Sequence, residues 1–154
     1  MDHETDKVDQ AIDRLPGPEE PGWDRPTPSQ QQFICMSMIE GQVTNGGFHQ
    51  IYFNGYEKFL PAALAGYRAI DAKPQAEIVE RVMAMVRDDP WSGPPEIWPD
   101  PNAEERPPGS KDIGVYNDPW YALDLRELHR LKLDYLNAHP DQFRHPTKPG
   151  PNPP

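Results

Sequence analysis

Cysteine is nearly absent from this sequence: Cys35 is the only one in 154 residues, so an internal disulfide is excluded. Cys35 lies in the apolar run 33–36, which predicts a core thiol rather than a reactive one. Apolar runs are also short, and none approaches the roughly 18 residues that cross a bilayer. The N-terminal segment lacks the basic start and apolar stretch of a secretory signal, so we expect a cytoplasmic protein.

The sequence also lacks the common motifs of catalysis and metal binding. Its five histidines form no HExxH pattern, no serine lies in GxSxG, and Gly46-Gly47 is not part of a GxGxxG phosphate loop. With 25 acids, a catalytic carboxylate pair cannot be singled out by spacing alone. We therefore expect no metal, no cofactor and no enzymatic activity, and a binding function is favoured.

Positive charge is scarce, since 15 lysines and arginines face 25 aspartates and glutamates, for a net charge of −10. Residues 1–24 contain eight acids and two bases, and residues 88–127 contain ten acids and three bases. Such a surface repels nucleic acid and anionic membranes and attracts basic proteins. The expected partner is a basic protein, with no direct binding of nucleic acid or membrane; plain solubility is the alternative explanation of the charge.

Proline and glycine divide the chain. The 21 prolines and 11 glycines predict a folded part smaller than the whole sequence. Residues 1–26 form an acidic N-terminal arm with a short helix, 27–143 a helical domain with a proline-rich acidic loop at 88–115, and 144–154 a disordered tail. The fold class is all-α, a single compact domain of about five or six helices.

Helix signals support this division. Thr27-Pro28 is a helix start, with an N-cap hydroxyl before a proline at the first helical position, and the apolar face runs to about Val43. Further helices are predicted over residues 5–15, 48–53, 60–70, 75–87 and 117–139. A strand is the alternative at 51–53. Trp91, Ile97 and Trp98 predict that the proline-rich loop is partly pinned to the domain.

The central motif breaks the helical pattern at Asn45-Gly46-Gly47-Phe48, where glycine permits a left-handed helix end. Its other members are Gln50, Tyr52, Phe53 and Asn54. Amides among aromatic residues need hydrogen-bond partners, which favours a mainly structural role, capping two helix ends and tying the turn. The alternative is a small-ligand or enzymatic site around Asn45, Gln50 and Asn54.

The stretch from Val43 to Asn54 resembles the signature of a bacterial DNA-mimic protein family, roughly Val-x-Asn-Gly-Gly-Phe-x-Gln, then aromatics, then Asn. The resemblance continues through an Ala- and Leu-rich helix and the close at 123–143, and it covers about residues 30–143. The chain differs at Gln42, where the family commonly has an acid, and at 88–115, where prolines and tryptophans replace a charged helical stretch.

This resemblance implies an all-α domain that presents carboxylates to the DNA-binding surface of a basic partner, such as a transcription regulator. The candidate partner-binding acids are Asp88, Asp89, Glu96, Asp100, Glu104, Glu105, Asp112 and Asp118. The N-terminal acids form a second candidate patch. An immunity or anti-defence protein that neutralises a toxin or nuclease is the alternative function, and either function is compatible with a homodimer.

Overall fold

The computed structural model describes residues 3–145, which contain six α-helices and no strand. The helices are α1 (His3–Ile12), α2 (Pro28–Phe53), α3 (Leu60–Ala69), α4 (Lys73–Asp88), α5 (Asn117–Tyr121) and α6 (Leu125–Ala138). Short 3-10 turns occur at Glu57–Phe59, Pro90–Ser92, Pro95–Ile97, Ile113–Tyr116 and Pro140–Phe143. The predicted all-α class is confirmed, including helix rather than strand at 51–53. None of the helices within 3–145 has the length and apolar character that crossing a bilayer requires.

The long helix α2 begins where the sequence predicts. The Gln30 amide donates to Thr27 Oγ1 at 3.2 Å, and the Thr27 amide donates to Gln30 Oε1 at 2.9 Å. This reciprocal capping box satisfies two amides that would otherwise lack partners at the helix start. Pro28 occupies the first turn, where its missing N–H is not needed.

The core surrounds α2, which packs on α3, while α3 packs on α4. Phe33, Met36, Ile39 and Val43 of α2 are all buried. The approach of α2 and α3 is close, because a Cβ on Gly66 would lie 2.9 Å from Met36 Sδ. Cys35 is a core thiol as predicted, and burial raises its pKa to about 11.

Both ends of the described chain pack on this core. The first helix, predicted at 5–15, spans His3–Ile12, and its Val8 is buried where α1 meets α6 and α2. Phe143 is also buried, with its ring 4.7 Å from that of Phe33 between centroids. The N-terminal segment is therefore part of the packed domain and not a separate arm. Positions 1–2 and 146–154 of the predicted arm and tail lie outside the described residues.

The prediction of one helix over 117–139 is wrong, because the chain forms α5 and α6 with a break between them. Asp124 has an extended backbone, and its carboxylate accepts from the Arg126 amide at 2.9 Å. This N-cap starts a new helix. Leu125, the first residue of α6, is 67% exposed.

A charged pair between α2 and α6 joins a buried lysine to a partly buried glutamate. Lys132 is only 6% exposed, and its Nζ lies 2.8 Å from Glu40 Oε2. Tyr67 of α3 donates to Glu40 Oε1 at 3.0 Å, so the carboxylate joins three helices. Burial, with the nearby Glu40 charge and its hydrogen bond, raises the pKa of Tyr67 well above its usual value.

Candidate protein-binding surface

The Asn45-Gly46-Gly47-Phe48 motif bends α2 as predicted. Gly47 has φ +71°, a left-handed conformation, and a Cβ at this position would lie 2.4 Å from Asn117 Nδ2. Asn117 in turn accepts from the Phe48 amide at 2.9 Å. Glycine is thus required both for the backbone angle and for the close approach of α5.

The remaining motif residues surround the short helical stretch after the bend. Phe48 and Tyr52 are buried. The pKa of Tyr52 is raised to about 12, mainly because the side chain is buried and also because the negative charge of Glu57 is nearby. Asn54 ends α2, and its side chain donates to Gln42 Oε1 at 2.6 Å across the bend. Phe53 is 58% exposed. These contacts give Asn54 the helix-end role that the sequence predicts.

The two other amides of the motif are placed differently from Asn54. Asn45 is exposed at the bend, and Gln50 is half-buried on the following turn, where a Cβ on Gly46 would lie 2.5 Å from Gln50 Oε1. The described clefts are lined by other residues. Among residues 3–145, no group of three or more His, Cys, Asp or Glu side chains is placed to hold a metal ion.

An ion cluster anchors the proline-rich segment to α2. Arg106 pairs with one carboxylate oxygen of Asp112, and His49 Nε2 lies 2.5 Å from the other. That second oxygen also accepts from the Gly114 amide at 2.7 Å. Burial alone would raise the pKa of Asp112, but the hydrogen bonds from Arg106, Gly114 and His49 outweigh it and lower the pKa to about 2.

Arg106 also holds the first half of the segment. Its guanidinium donates to the Gly93 carbonyl at 3.0 Å and lies 5.8 Å from the centroid of the Trp98 ring. Trp98 Nε1 donates to the same carbonyl at 2.9 Å, and the rings of Trp91 and Trp98 are 5.5 Å apart. The two tryptophans thus order the segment internally, and Arg106 links both halves of it. The predicted pinning to the domain comes instead from Ile97, which packs against the core, and from the His49–Asp112 pair.

We call residues 88–118 the acidic segment, since it contains eight acids and two bases. Its acids are the eight candidates predicted from the sequence, and the structure gives them different surroundings. Exposed on the surface are Asp88, Glu96, Asp100, Glu104, Glu105 and Asp118, while Asp89 and Asp112 are half-buried. Asp112 belongs to the anchor, and Asp88 Oδ1 lies 3.1 Å from Arg87 Nε.

Six candidates form no salt bridge with any side chain in the part of the chain that the structure describes: Asp89, Glu96, Asp100, Glu104, Glu105 and Asp118. Two of them shape local turns, because Asp89 accepts from the Trp91 amide at 3.1 Å and Asp100 from the Asn102 amide at 2.9 Å. Amide hydrogen bonds order these carboxylates without neutralising them. The segment therefore carries uncompensated charge on an ordered backbone.

The acids of the helices are mostly paired, in contrast. Glu77 and Glu80 of α4 pair with Arg81 and Arg68, at 2.5 and 2.8 Å. On α6, Arg130 pairs with two acids of its own helix. Unpaired carboxylates are for this reason more frequent on the acidic segment than on α4 and α6.

The N-terminal acids differ from those of the acidic segment, because paired and unpaired carboxylates are mixed among them. Glu19 pairs with Lys58, and the Glu20 carboxylate accepts from the Gly17 amide at 2.9 Å. Asp9 and Asp24 are exposed. Side chains before Lys7 are outside what the structure describes.

Sequence reasoning missed Arg106, His49 and Asn117, which fix the segment and the bend. His49 and Asp112 are 63 positions apart in the chain, and Phe48 and Asn117 are 69 apart. No local sequence pattern indicates such contacts. The one available signal was Arg106 itself, a base among acids and prolines.

A cleft of about 640 Å³ lies between α4 and the acidic segment. Its lining includes two acids, Asp88 and Asp89, and two bases, Arg81 and Lys111.

No match to the chain is found among curated proteins or among solved structures. A family model described as DMP19-like protein matches residues 24–139, about three quarters of the sequence. The matched region runs from just before α2 to the end of α6 and includes the bend, the anchor and the acidic segment. The chain therefore belongs to the DMP19-like protein family, the family of DNA-mimic proteins.

Proposed function

We propose that this protein is a DNA mimic whose acidic segment occupies the DNA-binding surface of a basic partner, such as a transcription regulator. The observation that carries the proposal is the set of six unpaired carboxylates on a backbone held by Arg106. In this proposal the protein acts in the cytoplasm and by binding rather than by catalysis. Family membership supports the same function.

The physical basis of the proposal is competition for a basic surface. Duplex DNA carries closely spaced negative charges, and proteins that bind it neutralise several phosphates with lysine and arginine. An acidic protein surface attracts the same basic residues and accelerates association through long-range electrostatic steering. Because the acidic segment is already ordered by its tryptophans and Arg106, less conformational entropy is lost on binding than from a flexible acidic tail.

The experiment is affinity purification of the full chain from its native host, with mass spectrometry of the proteins that co-elute. We expect a basic DNA-binding protein that is released when salt is raised from about 0.05 to about 0.2 M, and that duplex DNA displaces. A partner whose retention is the same at both salt concentrations would contradict the proposal. A co-eluting nuclease or toxin without a regulatory role would instead support the immunity-type alternative.

A matched pair of variants tests the surface itself. The segment variant carries Glu96→Gln, Asp100→Asn, Glu104→Gln and Glu105→Gln, and the control carries Glu77→Gln, Glu80→Gln, Glu127→Gln and Asp134→Asn. Both lose four negative charges, but only the first loses unpaired ones. We expect the segment variant to bind the co-purified partner at least tenfold more weakly than the control. Equal loss in both variants would show that net charge alone matters and would refute the surface.

A further inference from the structure

Large apolar side chains are exposed beside the acidic segment. Phe53, Val115 and Tyr121 are 58, 61 and 53% exposed, and we call these three residues the apolar ridge. Isolated exposed apolar residues are ordinary, but several that share one surface indicate an interaction site. Leu125, at 67%, is also exposed but lies on α6.

The three ridge residues belong to two stretches of chain that meet at one seam, where the chain from Asp112 to Tyr121 runs antiparallel to residues 43–49 of α2. Tyr121 donates to the Val43 carbonyl at 2.6 Å, and Asn117 binds the Phe48 amide. Further along, a Cβ on Gly114 would lie 3.6 Å from His49 Nε2.

Val115 directly follows Gly114, and Phe53 lies one helical turn after His49 on the same side of α2. Val115 and Phe53 therefore each lie within about one turn of a residue of the anchor.

The charges around the ridge indicate what covers it. Asp118 lies on α5 between Val115 and Tyr121, and Glu57 follows Phe53 by four residues; both are exposed. Neither forms a salt bridge within residues 3–145. A second copy of this chain would bring the same acids and a net charge of −10 to the contact, which opposes close approach.

We propose that the apolar ridge and the acids beside it bind one basic amphipathic helix of the partner, whose apolar face contacts Phe53 and Val115. The inference rests on the proposed function and adds to it a requirement on the partner. Acids alone attract any polycation, whereas an aromatic anchor beside them selects a basic helix that also presents apolar side chains.

The probes are two synthetic helical peptides of equal length and charge, one built from lysine and leucine and one with every leucine replaced by glutamine. Binding to the full chain is followed by fluorescence anisotropy. We expect the lysine–leucine peptide to bind at least tenfold more tightly, and Phe53→Ser or Val115→Ser to remove most of that advantage. Leu125→Ser makes the same chemical change away from the seam and should preserve it.

The outcomes separate this inference from the function on which it rests. If the lysine–glutamine peptide binds in a salt-dependent way that requires the acidic segment, but the ridge variants leave the leucine advantage intact, the ridge is refuted and the acidic surface stands. If neutralising the segment does not weaken the lysine–glutamine peptide, the proposed function fails first. A dimer in light scattering that Phe53→Ser dissociates would assign the ridge to a second copy and overturn the inference.

Discussion

Replacing Arg106 with methionine is predicted to loosen the acidic segment while leaving the helical core intact. Methionine keeps an apolar stem that can pack beside Trp98 but removes the guanidinium. The substitution removes the ion pair to Asp112, the hydrogen bond to the Gly93 carbonyl and the cation–π contact with the Trp98 ring. These three interactions join the two halves of the segment.

The expected magnitude follows from the exposure of the partners. Hydrogen bonds to charged groups contribute about 1.5 to 3 kcal/mol each, and a cation–π contact contributes about 0.5 to 1 kcal/mol. The Arg106 side chain is 24% and the Asp112 side chain 40% exposed, so water weakens the ion pair considerably. We therefore expect a loss of about 2 kcal/mol in local opening free energy, or roughly 30-fold faster exchange.

Hydrogen exchange of the backbone amides measures this loss directly. Amides between residues 89 and 116 should exchange faster in Arg106→Met, while those of α2 and α3 should change little, because these two helices pack chiefly on each other. Lys111→Met is the matched control, since it removes the other base of the segment, which forms no salt bridge within the described residues. Equal exchange of the segment in the two variants would refute the anchoring role.

Three further predictions concern the scaffold. Gly47→Ala should lower the free energy of unfolding by about 2 kcal/mol more than Gly55→Ala does in urea unfolding, because both glycines have φ +71° but only Gly47 is also crowded; equal losses would show that crowding is unimportant. Glu40→Leu should cost about 3 to 5 kcal/mol by leaving Lys132 buried without a partner, and adding Lys132→Met should restore much of it, which thermal unfolding of the single and double variants can decide. Because the folded pKa of Asp112 is lowered to about 2 from 3.8, its contribution is fully present above about pH 5 and is lost as the pH falls towards 2. Solvent exposure limits that contribution to about 1 kcal/mol, and Asp112→Asn should flatten this part of the acid-unfolding curve, whereas an unchanged curve would contradict the assignment.

Local signals predicted the parts of the fold that local interactions determine. The start of α2 depends on Thr27 and Gln30, three residues apart, and the bend depends on the backbone freedom of Gly47. Helices α3 and α4 were predictable because each has apolar residues at helical spacing on one buried face. Each of these features is encoded within a few residues of where it occurs.

Features that depend on distant partners were beyond such reasoning. The break before α6 was missed because apolar residues continue the helical period through it, while the Asp124 carboxylate starts a new helix. The candidate acids were found by composition alone, which cannot distinguish Asp112, paired with Arg106 and His49, from the exposed Glu104. Pairing in three dimensions decides which carboxylates contribute uncompensated charge.

The first and last parts of the described chain lie close together, and this affects how the protein can be modified. His145 Nε2 lies 3.3 Å from the Gln10 carbonyl, and Gln30 Nε2 donates to the Arg144 carbonyl at 2.9 Å. Residues 10 and 145 are thus neighbours although the whole domain separates them in sequence. Such proximity favours circular permutation, in which a linker joins the two neighbouring segments and the chain is opened at a surface turn such as Asn54-Gly55, where Asn54 is exposed. A tag or second protein fused to a permuted chain would be attached at the opened turn, away from residues 10 and 145, and the acidic segment would be unaltered.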